Sequence, residues 1–357
     1  MLPPPRPADP DNSIRLTDND AAIARLSAVN KQYISDPFIK SLVPRAHLQP
    51  SRPPLINIGT HVRTTAIDDL VQQWVQISSQ TGQTCQIVSL GAGSDTRYWR
   101  LATGPHKNMI SAYIEIDFME NTTKKIMAIR KSKELSAVVG PEARLALGGT
   151  ALHSSVYHLL PADLRETPAT ALAPLITIAD DSSKLCLDPS IPTLLLFECV
   201  LVYMSPESSS TLIQWFSDYF SKLPQHAPLG AIVYEMFGLE DSFGRVMINN
   251  LKARNVTLPG AAPYPTVESL PSRFLNLKFT AANALTLRVI RNRYIAPQEL
   301  DRIAKLEFLD EVEELDLVLE HYAITWSIML PVNAKADPAW GRWSLTEKPR
   351  PEEDGNF

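Results

Sequence analysis

Residues 87–99 read IVSLGAGSDTRYW, and the reading of this stretch decides the fold. A short apolar run gives way to Gly91-Ala92-Gly93 and then to polar residues. A buried strand ending in such a turn brings backbone N–H groups close to a ligand, because no Cβ intervenes. A dinucleotide pyrophosphate asks for a third glycine at position 96, where Thr96 stands. On its own the motif suits a plain structural bend equally well, so its meaning depends on what surrounds it.

Outward from this turn, the chain repeats strand, loop and helix. Residues 86–90 form the first expected strand, followed by 111–117 (SAYIEID), 156–163 (VYHLLPAD), 193–199 (TLLLFEC) and 230–236 (GAIVYEM). Such alternation, with strands apolar on both faces, implies an α/β fold with a parallel sheet covered on both sides. Ser205-Pro206 opens the helix after the fourth strand as N-cap and first helical residue. Residues 238–279 are too long for a plain connection and read as an insertion after strand five. Residues 284–290 and 321–330 are further strands. Between them, 298–320 is expected as a helix with Phe308, Val312, Leu315 and Leu319 on one side.

Upstream, residues 1–16 are proline-rich and expected to be a disordered arm. Residues 17–85 form a helical addition. In it, Thr17 caps a helix over 17–35, residues 36–58 are irregular, and a second helix covers 64–79. The core then spans 86–330, and residues 331–357 are expected to be a disordered tail.

Composition narrows the function. The chain has 357 residues, 45% hydrophobic, with a net charge of -5. That balance argues against a nucleic-acid partner. No apolar run reaches the roughly 18 residues of a membrane span, and the start MLPPPRPADP lacks an apolar signal core. The three cysteines are scattered with no C-x-x-C, which suits a reducing compartment. These features lead to the expectation of a cytoplasmic protein with no membrane partner.

Four consecutive strands deliver a glycine or an acid to one edge of the sheet. They are Gly91 in the turn, Glu115 and Asp117 on the second strand, Asp163-Leu164 on the third and Glu198 on the fourth. Ligands of open α/β sheets bind at that edge, and an acid ending the second strand points at ribose hydroxyls. One acid alone is more often a solvated strand end. An acidic rim suits a nucleoside with a positive centre, as in S-adenosylmethionine, better than a pyrophosphate. The methionyl carboxylate of that cofactor asks for a base, and Lys31 or Arg63 supplies one. For both, a plain surface cation is the bland alternative.

With these residues placed, the chain resembles the leucine carboxyl methyltransferase family over roughly residues 20–330. QIVSLGAGSDTRYWRL, YIEIDF, PTLLLFECVLVYMSPE and KLEFLDEVEELDLVLEHYAITW carry the likeness, in family order. The resemblance implies a seven-stranded, Rossmann-like, S-adenosylmethionine-dependent methyltransferase sheet with an N-terminal helical lid and an insertion after strand five. It implies an acceptor too, the C-terminal leucine carboxylate of the protein phosphatase 2A catalytic subunit. By motif, Gly91 would underlie the methionyl part, Asp117 would take the ribose hydroxyls, and Asp163 and Leu164 would flank the adenine. Glu198 would lie near the amino end, Arg63 would meet the carboxylate, and Lys31 matches a lid lysine. Residues 136–157 depart from the family pattern.

A carboxylate acceptor is ionised at neutral pH and needs no general base. Catalysis then rests on alignment and exclusion of water. Tyr203, just after the fourth strand, would line the methyl pocket, with a packed core tyrosine as the equal alternative. The seven histidines are dispersed, so no metal is expected. A nicotinamide oxidoreductase, which Thr96 at the third glycine position argues against, a small-molecule O-methyltransferase and a silent binding module are the competing classes.

Overall fold

A computed structural model describes residues 11–176, 186–223, 226–310, 312–331 and 339–350. Among these, nine strands form one sheet: β1 (Cys85–Leu90), β2 (Ile110–Asp117), β3 (Arg144–Ala146), β4 (Ala151–His153), β5 (Tyr157–Pro161), β6 (Thr193–Glu198), β7 (Leu229–Met236), β8 (Ala281–Thr286) and β9 (Tyr322–Met329). Their order is β3-β4-β5-β2-β1-β6-β7-β9-β8. Strands β5, β2, β1, β6 and β7 are parallel, and β9 enters antiparallel between β7 and β8.

The principal helices are α1 (Asn12–Asn30), α2 (Pro54–Gln80), α3 (Arg97–Ala102), α4 (Met119–Lys131), α5 (Pro206–Ser221), α6 (Ser242–Lys252), α7 (Pro297–Ile303) and α8 (Val312–Glu320). Neighbouring strand residues face opposite cores, as a period of two requires. Ile87, Tyr113 and Leu194 pack with Trp74 of α2 on one face. Val88, Ile114 and Leu195 pack with Phe216 of α5 on the other. Every residue of β1 and β7 is buried because helices cover both faces. No helix of the described residues is long and apolar enough to cross a membrane.

Several expectations are corrected. The sheet has nine strands, not seven. The seven expected strands are flanked at one edge by β3 and β4, each three residues long, from the segment 136–157 that departs from the family pattern. Strands so short, one of them largely exposed, leave no periodic signature, but they cover the free edge of β5. Helix α1 begins at Asn12, so the arm expected over 1–16 is helical from there; residues 1–10 lie outside the described part. Thr17 is no cap: its hydroxyl donates to the Ile14 carbonyl inside α1. Helix α2 starts at Pro54, where proline opens a helix without losing a needed donor.

The strand expected at 284–290 is β8, which ends at Thr286; the Thr286 hydroxyl then caps a helical turn. The helix expected over 298–320 is broken into α7 and α8, and Phe308 lies 85% exposed in the loop between. The expected disordered tail holds a packed segment. Trp340 and Trp343 are buried against Trp74, with ring centroids 4.6 and 4.9 Å away, and the Trp343 indole donates to the Leu70 carbonyl at 2.9 Å.

Candidate active site

The turn after β1 is built so that only glycine fits. Gly91 has φ +67° and Gly93 φ +48°, in the left-handed region that favours glycine. A Cβ on Gly91 would lie 2.5 Å from Val200 Cγ2, and one on Gly93 2.5 Å from Asp18 Oδ1. Gly91 N–H donates to the Ile116 carbonyl at 2.8 Å, and Gly93 N–H to Asp117 Oδ2 at 2.7 Å. Thr96, at the missing third glycine, is buried and its hydroxyl donates to Asp36, which also holds Arg25. The residue that breaks a pyrophosphate fingerprint thus ties the turn to the N-terminal helices.

Asp117, at the end of β2, is buried and also accepts from Phe118 N–H at 2.7 Å and Asn121 Nδ2 at 2.8 Å. Burial raises its pKa, against the pull of those donors. A carboxylate offers about four acceptor directions, so three bonds leave room for another donor. Glu115 does not join it. Two residues deeper, it is buried with Lys125 Nζ at 2.5 Å and the Tyr157 hydroxyl at 2.6 Å; burial, opposed by Lys125, lifts its pKa to about 7.

Glu198 ends β6 between two guanidiniums. Arg63 donates through Nε at 2.8 Å and Nη2 at 2.6 Å, and Arg97 Nη2 stands 2.8 Å from the other oxygen. Burial opposes the Glu198 charge, but Arg97 and Arg63 outweigh it and hold the pKa at about 2. Arg97 is itself tied to Asp95 at 2.5 Å and Asp68 at 3.1 Å. Arg63 lies 4.4 Å over the Tyr234 ring with its side chain 26% exposed, so part of the guanidinium faces the cavity. The next residue, Cys199, has φ +55°, a conformation costing a non-glycine residue about 1–3 kcal/mol. That bend leads into Val200, whose side chain fills the space beneath Gly91. Burial lifts the Cys199 thiol to about 12, so it is no thiolate nucleophile at neutral pH.

Arg63, Gly91, Asp117, Asp163, Leu164, Glu198 and Tyr203 line one cavity of about 640 Å³. Asp163 is clasped by Arg165 through Nε at 2.9 Å and Nη2 at 2.6 Å, and the same guanidinium grips both oxygens of Asp11 at 2.7 Å. Tyr203 forms part of the wall beside Met247 of α6, and burial raises its hydroxyl pKa. Lys31 does not line the cavity. At the end of α1, its flexible side chain is 39% exposed and pairs with Glu307 at 2.9 Å.

The helical lid and the insertion were expected from the sequence, but the residues that fasten them over the cavity were not. Asp18 of α1 accepts from Ser94 N–H at 2.6 Å and the Ser94 hydroxyl at 3.1 Å, and pairs with Lys124 at 2.9 Å. Asp20 reaches both Arg52 and, from the segment after α6, Arg254. The helical lid and the insertion therefore meet above the glycine turn. Arg97 was missed as well, although the motif DTRYW contains it, because nothing local pairs Arg97 with Glu198. Away from the cavity, His153, His158 and Cys186 bring three metal-ligand atoms within 4.8 Å of one another, the one such group among the described residues.

A mixed sheet with five parallel central strands, a glycine turn, an acid ending the second strand and a helical roof has the architecture of an α/β methyltransferase. The family profile of leucine carboxyl methyltransferases matches residues 14–217. Leucine carboxyl methyltransferase 1 of Cryptococcus neoformans (strain JEC21) is 43% identical, covering 91% of this chain and 97% of that one. The Arabidopsis thaliana homolog is 34% identical, covering 88% and 89%. Among solved structures, a geranyl diphosphate C-methyltransferase from Streptomyces coelicolor A3(2) is a distant likeness: TM-score 0.38, 8% identity, 73% of this chain and 77% of that one. The chain belongs to the leucine carboxyl methyltransferase family.

Proposed function

We propose that this protein is a cytoplasmic enzyme that transfers a methyl group from S-adenosylmethionine to the C-terminal leucine carboxylate of the protein phosphatase 2A catalytic subunit. The observation that carries the reading is one roofed cavity with Asp117 at the glycine turn and Arg63 fixed by Glu198 across from it. Its volume of about 640 Å³ is within the range for a small-molecule cofactor site. The chain's groups fit that cofactor. Gly91 and Gly93 let the turn pack tightly against Val200 and Asp18 while lining the cavity, and Asp117 keeps acceptor capacity for ribose hydroxyls. Asp163 and Leu164 would border the adenine, and Arg63 would meet the methionyl carboxylate, with Glu198 near the amino group.

When bound, the cofactor supplies a methyl group on a positively charged sulfur. The chain's own part is alignment and exclusion of water. Asp18 and Ser94 hold α1 over the turn, and Tyr203 narrows the wall where an acceptor carboxylate would enter. No residue has to remove a proton, because the acceptor is already an anion at neutral pH. Arg63, braced by Glu198 and Tyr234, brings a fixed positive charge to the cavity without reorganisation.

The test compares acceptors under methyl-labelled cofactor. Label should enter the phosphatase catalytic subunit and not small carboxylic acids such as free leucine. Equal labelling of the small acids would instead make this a small-molecule carboxyl methyltransferase.

A further inference from the structure

The cluster His153, His158 and Cys186 has no part in the reaction above. We propose that it is a binding site for a single borderline-soft divalent cation, Zn²⁺ being the best match, that clamps the β4–β5 hairpin to the segment entering β6.

The donor set makes the first argument. Two imidazoles and one thiol, within 4.8 Å of one another, are the ligands that zinc takes. In a tetrahedral site with metal–nitrogen bonds of about 2.0–2.1 Å, two nitrogens stand about 3.3 Å apart, and nitrogen and sulfur about 3.6 Å. The Nδ1 atoms of His153 and His158 are 3.0 Å apart. The nitrogens therefore need to part by only about 0.3 Å, and the thiol to close by no more than about 1.2 Å. A fourth position stays open for water.

Rigidity makes the second argument, since a preformed site needs ligands held by the backbone. His153 and His158 are direct partners in the β4–β5 ladder, so both project from the same face. The hairpin between them is tight: Ser154 N–H donates to the Tyr157 carbonyl at 2.8 Å, and Tyr157 N–H to the Ser154 hydroxyl at 3.0 Å. Cys186 is fixed through its neighbour. Leu187 N–H donates to the Ile176 carbonyl at 2.8 Å, and its own carbonyl accepts from the Tyr219 hydroxyl at 2.9 Å. Cys186 packs on the core of the same sheet face that Ile114, the β2 partner of His158, helps build.

Position makes the third. Strand β5 runs parallel to β2, and His158 lies near its start, whereas Asp163 follows its end. Strand β5 runs on for three residues past His158, about 10 Å, before the chain turns toward Asp163. The cluster therefore lies toward the opposite edge of the sheet from the cofactor cavity, and none of its residues lines that cavity. The proposed site is a structural clamp with no part in the proposed methyl transfer.

The full chain, reduced and stripped by chelator, should be titrated with Zn²⁺ against a chromophoric competitor and with Co²⁺ under optical absorption. One equivalent per chain should bind, with a thiolate-to-cobalt charge-transfer band. Cys186→Ser should abolish that band although Cys85 and Cys199 remain. His153→Gln and His158→Gln should each weaken Zn²⁺ binding at least tenfold. Zn²⁺ should raise the melting temperature of the wild type and not of these variants, each first shown folded by near-ultraviolet circular dichroism. Absence of a charge-transfer band in the wild type, or its persistence in Cys186→Ser, would overturn the proposal.

Discussion

At Glu198, one carboxylate answers two guanidiniums, and the charge it keeps positions Arg63. Its folded pKa of about 2 lies below the ordinary 4.5, so its contribution to stability is complete above pH 4.5 and fades as pH falls toward 2. Glu198→Gln should therefore be less stable than wild type at neutral pH, with the gap shrinking between pH 4.5 and 2 in denaturant titrations. A gap independent of pH would show that the ion pair is not its source. Asp117 lends itself to a binding measurement. Asp117→Ala should weaken S-adenosylhomocysteine by about 1–3 kcal/mol, the cost of losing a charged hydrogen-bond partner. Calorimetry showing unchanged affinity would remove Asp117 from the cofactor's reach.

Legibility in the sequence divides at this same scale. Gly91, Asp117 and Glu198 stood out because each lies at the end of an apolar run, and a strand end is a local pattern. Lys31 falls outside the cavity lining, because matching a motif says nothing of where a long flexible side chain finds its partner, here Glu307. Arg97 and Asp18 went unread because their partners, Glu198 and Ser94, are distant in the chain.

Among elements, α1 has the most consequence for function, because it forms the roof and touches the glycine turn through Asp18. Removing that latch leaves α1 held by its apolar face, where Ala22 and Leu26 pack with Ile39 and Val43, and by ion pairs such as Arg165 with Asp11. Asp18→Ala should speed amide exchange in α1 and hasten release of the bound demethylated cofactor. Unchanged exchange in α1 would mean that the helix is held elsewhere, Arg165 with Asp11 being the first alternative. The segment around Trp343 is the second such element. Its proline-rich, charged surroundings hid two tryptophans that complete the packing around Trp74. Trp343→Ala should destabilise the fold by about 3–5 kcal/mol, as truncation of a buried aromatic does. A midpoint close to that of wild type in urea would mean the segment is only loosely applied. Strands β3 and β4 were hidden for another reason: three-residue strands take their stability from the neighbour they cover, not from their own pattern.

For the whole molecule, the sheet order puts the glycine turn, Asp117, Asp163 and Glu198 along one edge, while the lid and the insertion close over it. On the proposed function, the acceptor would enter this cavity from one side as an extended chain end. Binding energy from the acceptor's remote surface would then position its tail. The most direct test supplies methyl-labelled S-adenosylmethionine with three acceptors: the intact phosphatase catalytic subunit, the same subunit lacking its terminal leucine, and the free tail peptide. The account expects a base-labile methyl ester on the last residue of the intact subunit, slower labelling of the peptide, and none of the shortened subunit. Equal labelling of the intact and shortened subunits would contradict it.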